Sequence, residues 1–137
     1  MTRMLLVVAG LFGFIGVGLG AFGAHALRSR LPQERLANVE LAVRYLFFTI
    51  PGLLAVAWLA GSCGGELAET TAAWGLGLGA LLFSGSLVAL AFTGARRWGA
   101  VTPIGGVLLL LGWAGLVVAG LTTTAWPADG ILRLVSC

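Results

Sequence analysis

Residues 70–95 read TTAAWGLGLGALLFSGSLVALAFTGA and run directly into Arg96-Arg97-Trp98. The stretch holds no Asp, Glu, Lys or Arg. About 20 consecutive apolar residues are enough for a helix to cross the hydrocarbon core of a bilayer, and this stretch exceeds that length. Residues 4–27, 45–65 and 98–128 are likewise free of Asp, Glu, Lys and Arg. The four stretches take up most of the 137 residues, so no length remains for a separate soluble domain. Composition agrees, with 59% hydrophobic and only 9% charged residues, against about 25% charged in an ordinary soluble domain. A water-soluble enzyme, a nucleic-acid-binding domain and a disulfide-rich secreted domain are all excluded. The expected fold is an all-α membrane protein. One integral membrane domain over residues 1–137 forms a four-transmembrane-helix bundle, with spans near 4–27, 42–61, 71–93 and 102–124.

The boundaries come from local signals. The first apolar run is about twice the 7–15 residues of a signal-peptide core, so it reads as a spanning helix despite Arg3 before it and Ala24-His25-Ala26 after it. A charged connector follows, Arg28 to Arg35, with Pro32 suited to open a new helix. Beyond it Leu36, Val39 and Val43 share a face at helical spacing, and Glu40 precedes Arg44 by four residues in the favourable order. This segment is expected to be a short amphipathic interfacial helix between spans one and two, with an uninterrupted helix as the alternative. Pro51 falls inside span two, where proline usually kinks a membrane helix. Residues 62–69 read as a short acidic loop. Thr102-Pro103 has the form of an N-cap followed by a first-turn proline, which places the start of span four.

Charge sets the expected orientation. All eight basic residues are Arg, within a net charge of +3. Arg28, Arg30, Arg35, Arg44, Arg96 and Arg97 fall in the connectors after spans one and three, and only Arg3 and Arg133 on the other side. Short loops rich in Arg stay cytoplasmic, so both termini are expected to be non-cytoplasmic. Arg without Lys, amid abundant Ala and Gly, suggests a GC-rich bacterial coding sequence and hence a bacterial inner (cytoplasmic) membrane.

Helices in lipid associate through small residues that let backbones approach closely. Span one offers Gly16, Gly20 and Ala24, span three Gly75 and Gly79, and span four Gly105, Gly106, Gly112 and Gly115. Spans one, three and four are therefore expected in close contact, with span two bulkier.

Chemistry has little to work with. His25 is the only histidine, and with Ser84, Ser86 and Thr102 it makes a candidate polar or proton-handling track. Arg96, Arg97, Thr102, Gly105 and Gly106 form a candidate anion or headgroup site at a helix N-terminus. Capping and close packing are the plainer readings of those residues. One histidine and two distant cysteines match no zinc spacing, so no metal or cofactor is expected. Cys63 and Cys137 fall on the same expected side and are a candidate disulfide. No acid is expected inside the bundle to support a Ser-His-Asp arrangement, so no enzymatic activity is expected.

Gly20-Ala21-Phe22-Gly23-Ala24-His25, Leu82-Phe83-Ser84-Gly85-Ser86-Leu87, Thr102-Pro103-Ile104-Gly105-Gly106 and Gly112-Trp113 resemble, in order, the small four-span membrane family catalogued as domain of unknown function 423. That family is itself similar to eukaryotic transmembrane protein 256. The resemblance implies a four-helix membrane protein without an established activity. Where members often read Tyr-Gln-x-x-His at the start of span two, this chain keeps Tyr45 but has Leu46 and Thr49, and it adds Pro51. Two roles stay open. One is a structural or interaction protein, an accessory subunit assembling with itself or a larger membrane complex among membrane lipids. The alternative is a carrier or channel for a small solute. Nucleic acid is not an expected partner.

Overall fold

The computed structural model describes residues 1–63 and 67–122. Four α-helices carry the fold: α1 Thr2–Phe22, α2 Gln33–Cys63, α3 Leu67–Thr93 and α4 Arg97–Thr122, with a π-helical turn Gly23–Leu27 closing α1. All four are long and apolar enough to cross a membrane. The cause is the solvent: in hydrocarbon no water pairs with backbone N–H and C=O groups, so each segment must satisfy its own.

α2 corrects one expectation. No separate interfacial helix lies between the first two spans, because Gln33–Cys63 is one uninterrupted helix of 31 residues. At 1.5 Å per residue it is ~46 Å long, against a hydrocarbon core of about 30 Å. Its first turns carry Glu34, Arg35, Glu40 and Arg44, so they are the part suited to extend beyond an apolar layer. Pro51 is the strongest helix opponent between Pro32 and Cys63, and it lies on the exposed side with the helix continuing through it.

The helices pack in chain order, α1 on α2, α2 on α3 and α3 on α4. This too corrects the sequence reading. α1 makes no approach to α4 and only a marginal one to α3. Its buried residues Leu5, Ala9, Phe12 and Gly16 form one stripe, and α2 covers it. A methyl at Gly16 would lie 3.1 Å from the Phe47 ring, and one at Gly20 would meet Val43 at 3.8 Å. The side chain of Ala24 is outside the described residues. α2 is not the bulky bystander either. At Gly52 it meets α3 and α4 together, with Leu76 2.9 Å and Trp113 3.1 Å from where a Cβ would stand.

The tightest seam joins α3 to α4. A Cβ on Gly75 would stand 2.5 Å from Gly112 Cα, and one on Gly79 2.7 Å from the Leu109 nitrogen. A Cβ on Gly105 would run into the Phe83 backbone, and one on Gly115 would stand 2.9 Å from the Ala72 nitrogen. The pairs run in opposite directions along the two helices, so the seam is antiparallel along its whole length. Leu53, Val56, Ala72, Leu76 and Ala80 fill the centre with no exposed surface. α3 leaves through Gly94, whose φ of +68° is the left-handed helix-ending conformation that glycine adopts freely.

Candidate functional site

Polar groups inside the protein sit at two levels of α3. Near its C-terminal half, Ser84 is buried and its hydroxyl donates to the Ala42 carbonyl of α2 at 2.9 Å. The Ser86 and Thr102 hydroxyls share a 2.8 Å hydrogen bond between α3 and α4. Ser86 also reaches the Phe83 carbonyl at 2.9 Å, and Thr102 the Trp98 carbonyl at 3.3 Å. Thr49, at the position where the resembling sequences often carry histidine, donates to the Tyr45 carbonyl of its own helix at 2.8 Å. Each of these hydroxyls is therefore engaged, three of them in two ties between helices. The Tyr45 ring packs on Phe83, centroids 4.4 Å apart, beside the Ser84 tie.

The residues of the candidate track do not converge. His25 lies in the π-helical turn and is exposed, beside Ala21, Phe22 and Ala26 around a concavity of about 250 Å³. Ser84 faces α2, whereas Ser86 and Thr102 face one another across the α3–α4 seam. The candidate anion site is dispersed for a clear reason: α4 begins at Arg97, one turn earlier than the Thr-Pro signal implied. Thr102 is thus a residue within the helix, bonded back to Trp98, and not its N-cap. Pro103 lies inside α4, and Gly105 and Gly106 pack against Phe83. Arg96 and Arg97 are exposed at the α3–α4 turn, with the Arg97 guanidinium 5.9 Å from the Trp98 ring centroid. That separation suits a cation–π contact.

Two features escaped the sequence reading. Residues 62–69 looked like an acidic loop, but α3 begins at Leu67 and Glu69 occupies its first turn. Glu69 is only 3% exposed, and its Oε2 has no hydrogen-bond partner among the described residues. The expectation of an acid-free interior is thereby corrected. A usable signal was present, because Glu69, Ala73, Leu76, Ala80 and Ser84 recur at three- and four-residue spacing and form one buried stripe. The second feature is Arg35, whose guanidinium lies against Gly94. A cation there stands at the C-terminus of α3, where the helix dipole favours positive charge. The Glu40–Arg44 pair suggested by spacing is not formed, since among the described residues neither makes an ion pair. The candidate Cys63–Cys137 disulfide lies outside the described residues.

Among the described residues, four apolar helices packed through glycines and tied by buried hydroxyls define a small polytopic helical membrane protein. Residues 19–106, well over half of the chain, match the family described as "Protein of unknown function (DUF423)", and the chain belongs to that family. It is 38% identical over 117 residues to the UPF0382 membrane protein YwdK of Bacillus subtilis, covering 85% of this chain and 95% of that one. It is 39% identical over 119 residues to the UPF0382 membrane protein SERP0230 of Staphylococcus epidermidis, covering 87% and 96%. With the UPF0382 inner membrane protein YgdD of Escherichia coli it shares 37% identity over 126 residues, covering 88% and 91%. No solved structure matches the chain.

Proposed function

We propose that this protein is a structural or accessory component of a bacterial inner membrane, one that assembles with another membrane helix and carries out no catalysis. The observation behind this reading is the position of α1. It is held by one neighbour, and its other face presents Met4, Val7, Leu11, Phe14 and Val17 to the surroundings, Phe14 at 80% exposure. Gly10 and Gly18 lie on that outer side with nothing within 4 Å. A glycine facing lipid forgoes the packing that a larger side chain would gain, whereas one facing a helix permits close approach. The filled interior favours this reading over a carrier. Glu69 and Ser84 are ~22 Å apart along α3 at 1.5 Å per residue, and Leu53 and Leu76, fully buried, belong to the packed core between those levels.

A photoreactive amino acid at Leu11 or Val17, activated in intact membranes, is expected to yield a protein adduct of defined mass. The same label at Val117 on α4 serves as the comparison. If the α1 positions form adducts with lipid alone, the assembly reading fails. For orientation, the arginine-rich turns are placed in the cytoplasm. Ser29→Cys, in a chain that also carries Cys63→Ser and Cys137→Ser, should accordingly resist a membrane-impermeant thiol reagent until the cells are permeabilised. Immediate labelling in intact cells would invert the topology.

A further inference from the structure

The π-helical turn and the start of α2 enclose a cleft of about 530 Å³, lined by Gly23, Arg28, Leu31, Gln33, Leu36, Ala37 and Glu40. That volume lies within the roughly 300–1,000 Å³ of small-molecule sites. Leu36 is buried, whereas Arg28, Gln33 and Glu40 are exposed. The cleft therefore holds one cation, one anion and one amide. Arg28 and Glu40 share its lining, and among the described residues neither forms an ion pair. The cleft also lies just past the apolar helix α1, which ends at Phe22, beside the arginine-bearing connector, and arginines flanking a span lie at the headgroup level of a bilayer. π-helical turns are rare and occur frequently at functional sites. This one inserts an extra residue immediately before Arg28 and so changes the face on which that side chain emerges.

We propose that the cleft binds the headgroup of a zwitterionic aminophospholipid. The Arg28 guanidinium takes the phosphate, for which its planar fork of donors is suited. The Glu40 carboxylate accepts hydrogen bonds from the primary ammonium, and Gln33 supplies a neutral donor and acceptor between them. Charge complementarity selects this occupant. A purely anionic headgroup would meet Glu40 unfavourably, and a quaternary ammonium has no N–H to give the carboxylate. Only a headgroup carrying both a phosphate and a protonated amine satisfies both side chains. The acyl chains then lie in the bilayer, outside the cleft.

Native mass spectrometry of the full chain, purified in detergent and exposed to an equimolar mixture of phosphatidylethanolamine, phosphatidylcholine and phosphatidylglycerol, tests this. Phosphatidylethanolamine is expected to be retained about tenfold over the other two, the scale of one charge-assisted hydrogen bond. Glu40→Gln should lower its retention to that of phosphatidylcholine, and Arg28→Gln should reduce all three. Arg30→Gln, exposed and outside the cleft lining, should change nothing. Equal retention of the three lipids by the unaltered protein overturns the proposal. So does a preference for phosphatidylglycerol that survives Glu40→Gln, which would mark a merely basic surface. An equal loss with Arg30→Gln overturns it as well. Should Arg28→Gln fail to fold, the headgroup preference of the unaltered protein and its response to Glu40→Gln still decide the matter.

Discussion

Gly112→Ala is expected to destabilise the folded protein by about 3 kcal/mol, the upper end of the usual range for overpacking. The added methyl would stand 2.5 Å from the Leu76 nitrogen and 2.7 Å from the Gly75 carbonyl carbon. These are backbone atoms, so no side-chain rotation relieves the collision and the two helices must separate. Reaching an ordinary contact of 3.4 Å requires a shift of close to 1 Å. A gap of 0.5–1 Å already forfeits a quarter to a half of a contact's dispersion energy. The loss spreads along the seam to Gly79 against Leu109, Gly115 against Ala72 and Gly105 against Phe83. Lipid tails are as apolar as leucine, so no hydrophobic term compensates.

Thermal or chemical unfolding in one fixed detergent measures the effect. Gly75→Ala should cost a similar amount, since it enters the same contact from the other helix. The double variant should then cost clearly less than the sum of the two, because a single separation relieves both collisions. Gly77→Ala is the control. Nothing lies within 4 Å of its added methyl, so alanine's better helix propensity should leave stability unchanged or raised by up to ~1 kcal/mol. Unaltered unfolding of Gly112→Ala would show that this seam does not hold the protein together.

Gly94→Ala is the second large effect, expected at about 2 kcal/mol. The φ of +68° costs an L-residue with a Cβ roughly 1–2 kcal/mol. Its methyl would also overlap the Arg35 guanidinium. The tip of Arg35 can swing aside, so this second part is smaller. It amounts to the ~0.3–1 kcal/mol that a cation contributes at a helix C-terminus. Unfolding of Gly94→Ala, Arg35→Ala and the double variant separates the two causes. The double variant should cost less than the sum of the single ones while retaining the whole backbone penalty. Strictly additive costs would mean that Arg35 and Gly94 do not interact. A Gly94→Ala protein that melts like the parent would show that the turn is not left-handed.

What the residues reveal before folding depends on whether the deciding interaction is with solvent or with a neighbour. The four spans follow from the solvent alone, because charge-free runs of this length have no alternative to helix in hydrocarbon. The glycines of α3 and α4 were legible for a related reason, as clusters at four-residue spacing have a packing role. Which helix they would meet was not legible. Gly16 and Gly18 look alike in the sequence, yet one lies against Phe47 and the other against nothing within 4 Å. Spacing alone does not say which of the two meets a helix within the chain, so the partner is chosen by the fit of whole surfaces.

The same limit explains the misplaced ends. Thr102-Pro103 has the chemistry of a helix start, but α4 gains a further turn from Arg97 by packing Gly99 near Leu90 and by bonding Thr102 to Ser86. Glu69 reads as a loop acid because a carboxylate prefers water, and only the closure of helices around the first turn of α3 buries it. The sequence by itself thus determined that this chain is a four-span membrane protein and which apolar stretches form its spans, but not where each helix begins. The tertiary structure alone decided the chain-order packing, the buried acid and the cleft beside Arg28. Transfer into hydrocarbon is a property of each segment separately, whereas packing belongs to pairs of surfaces that no single segment contains.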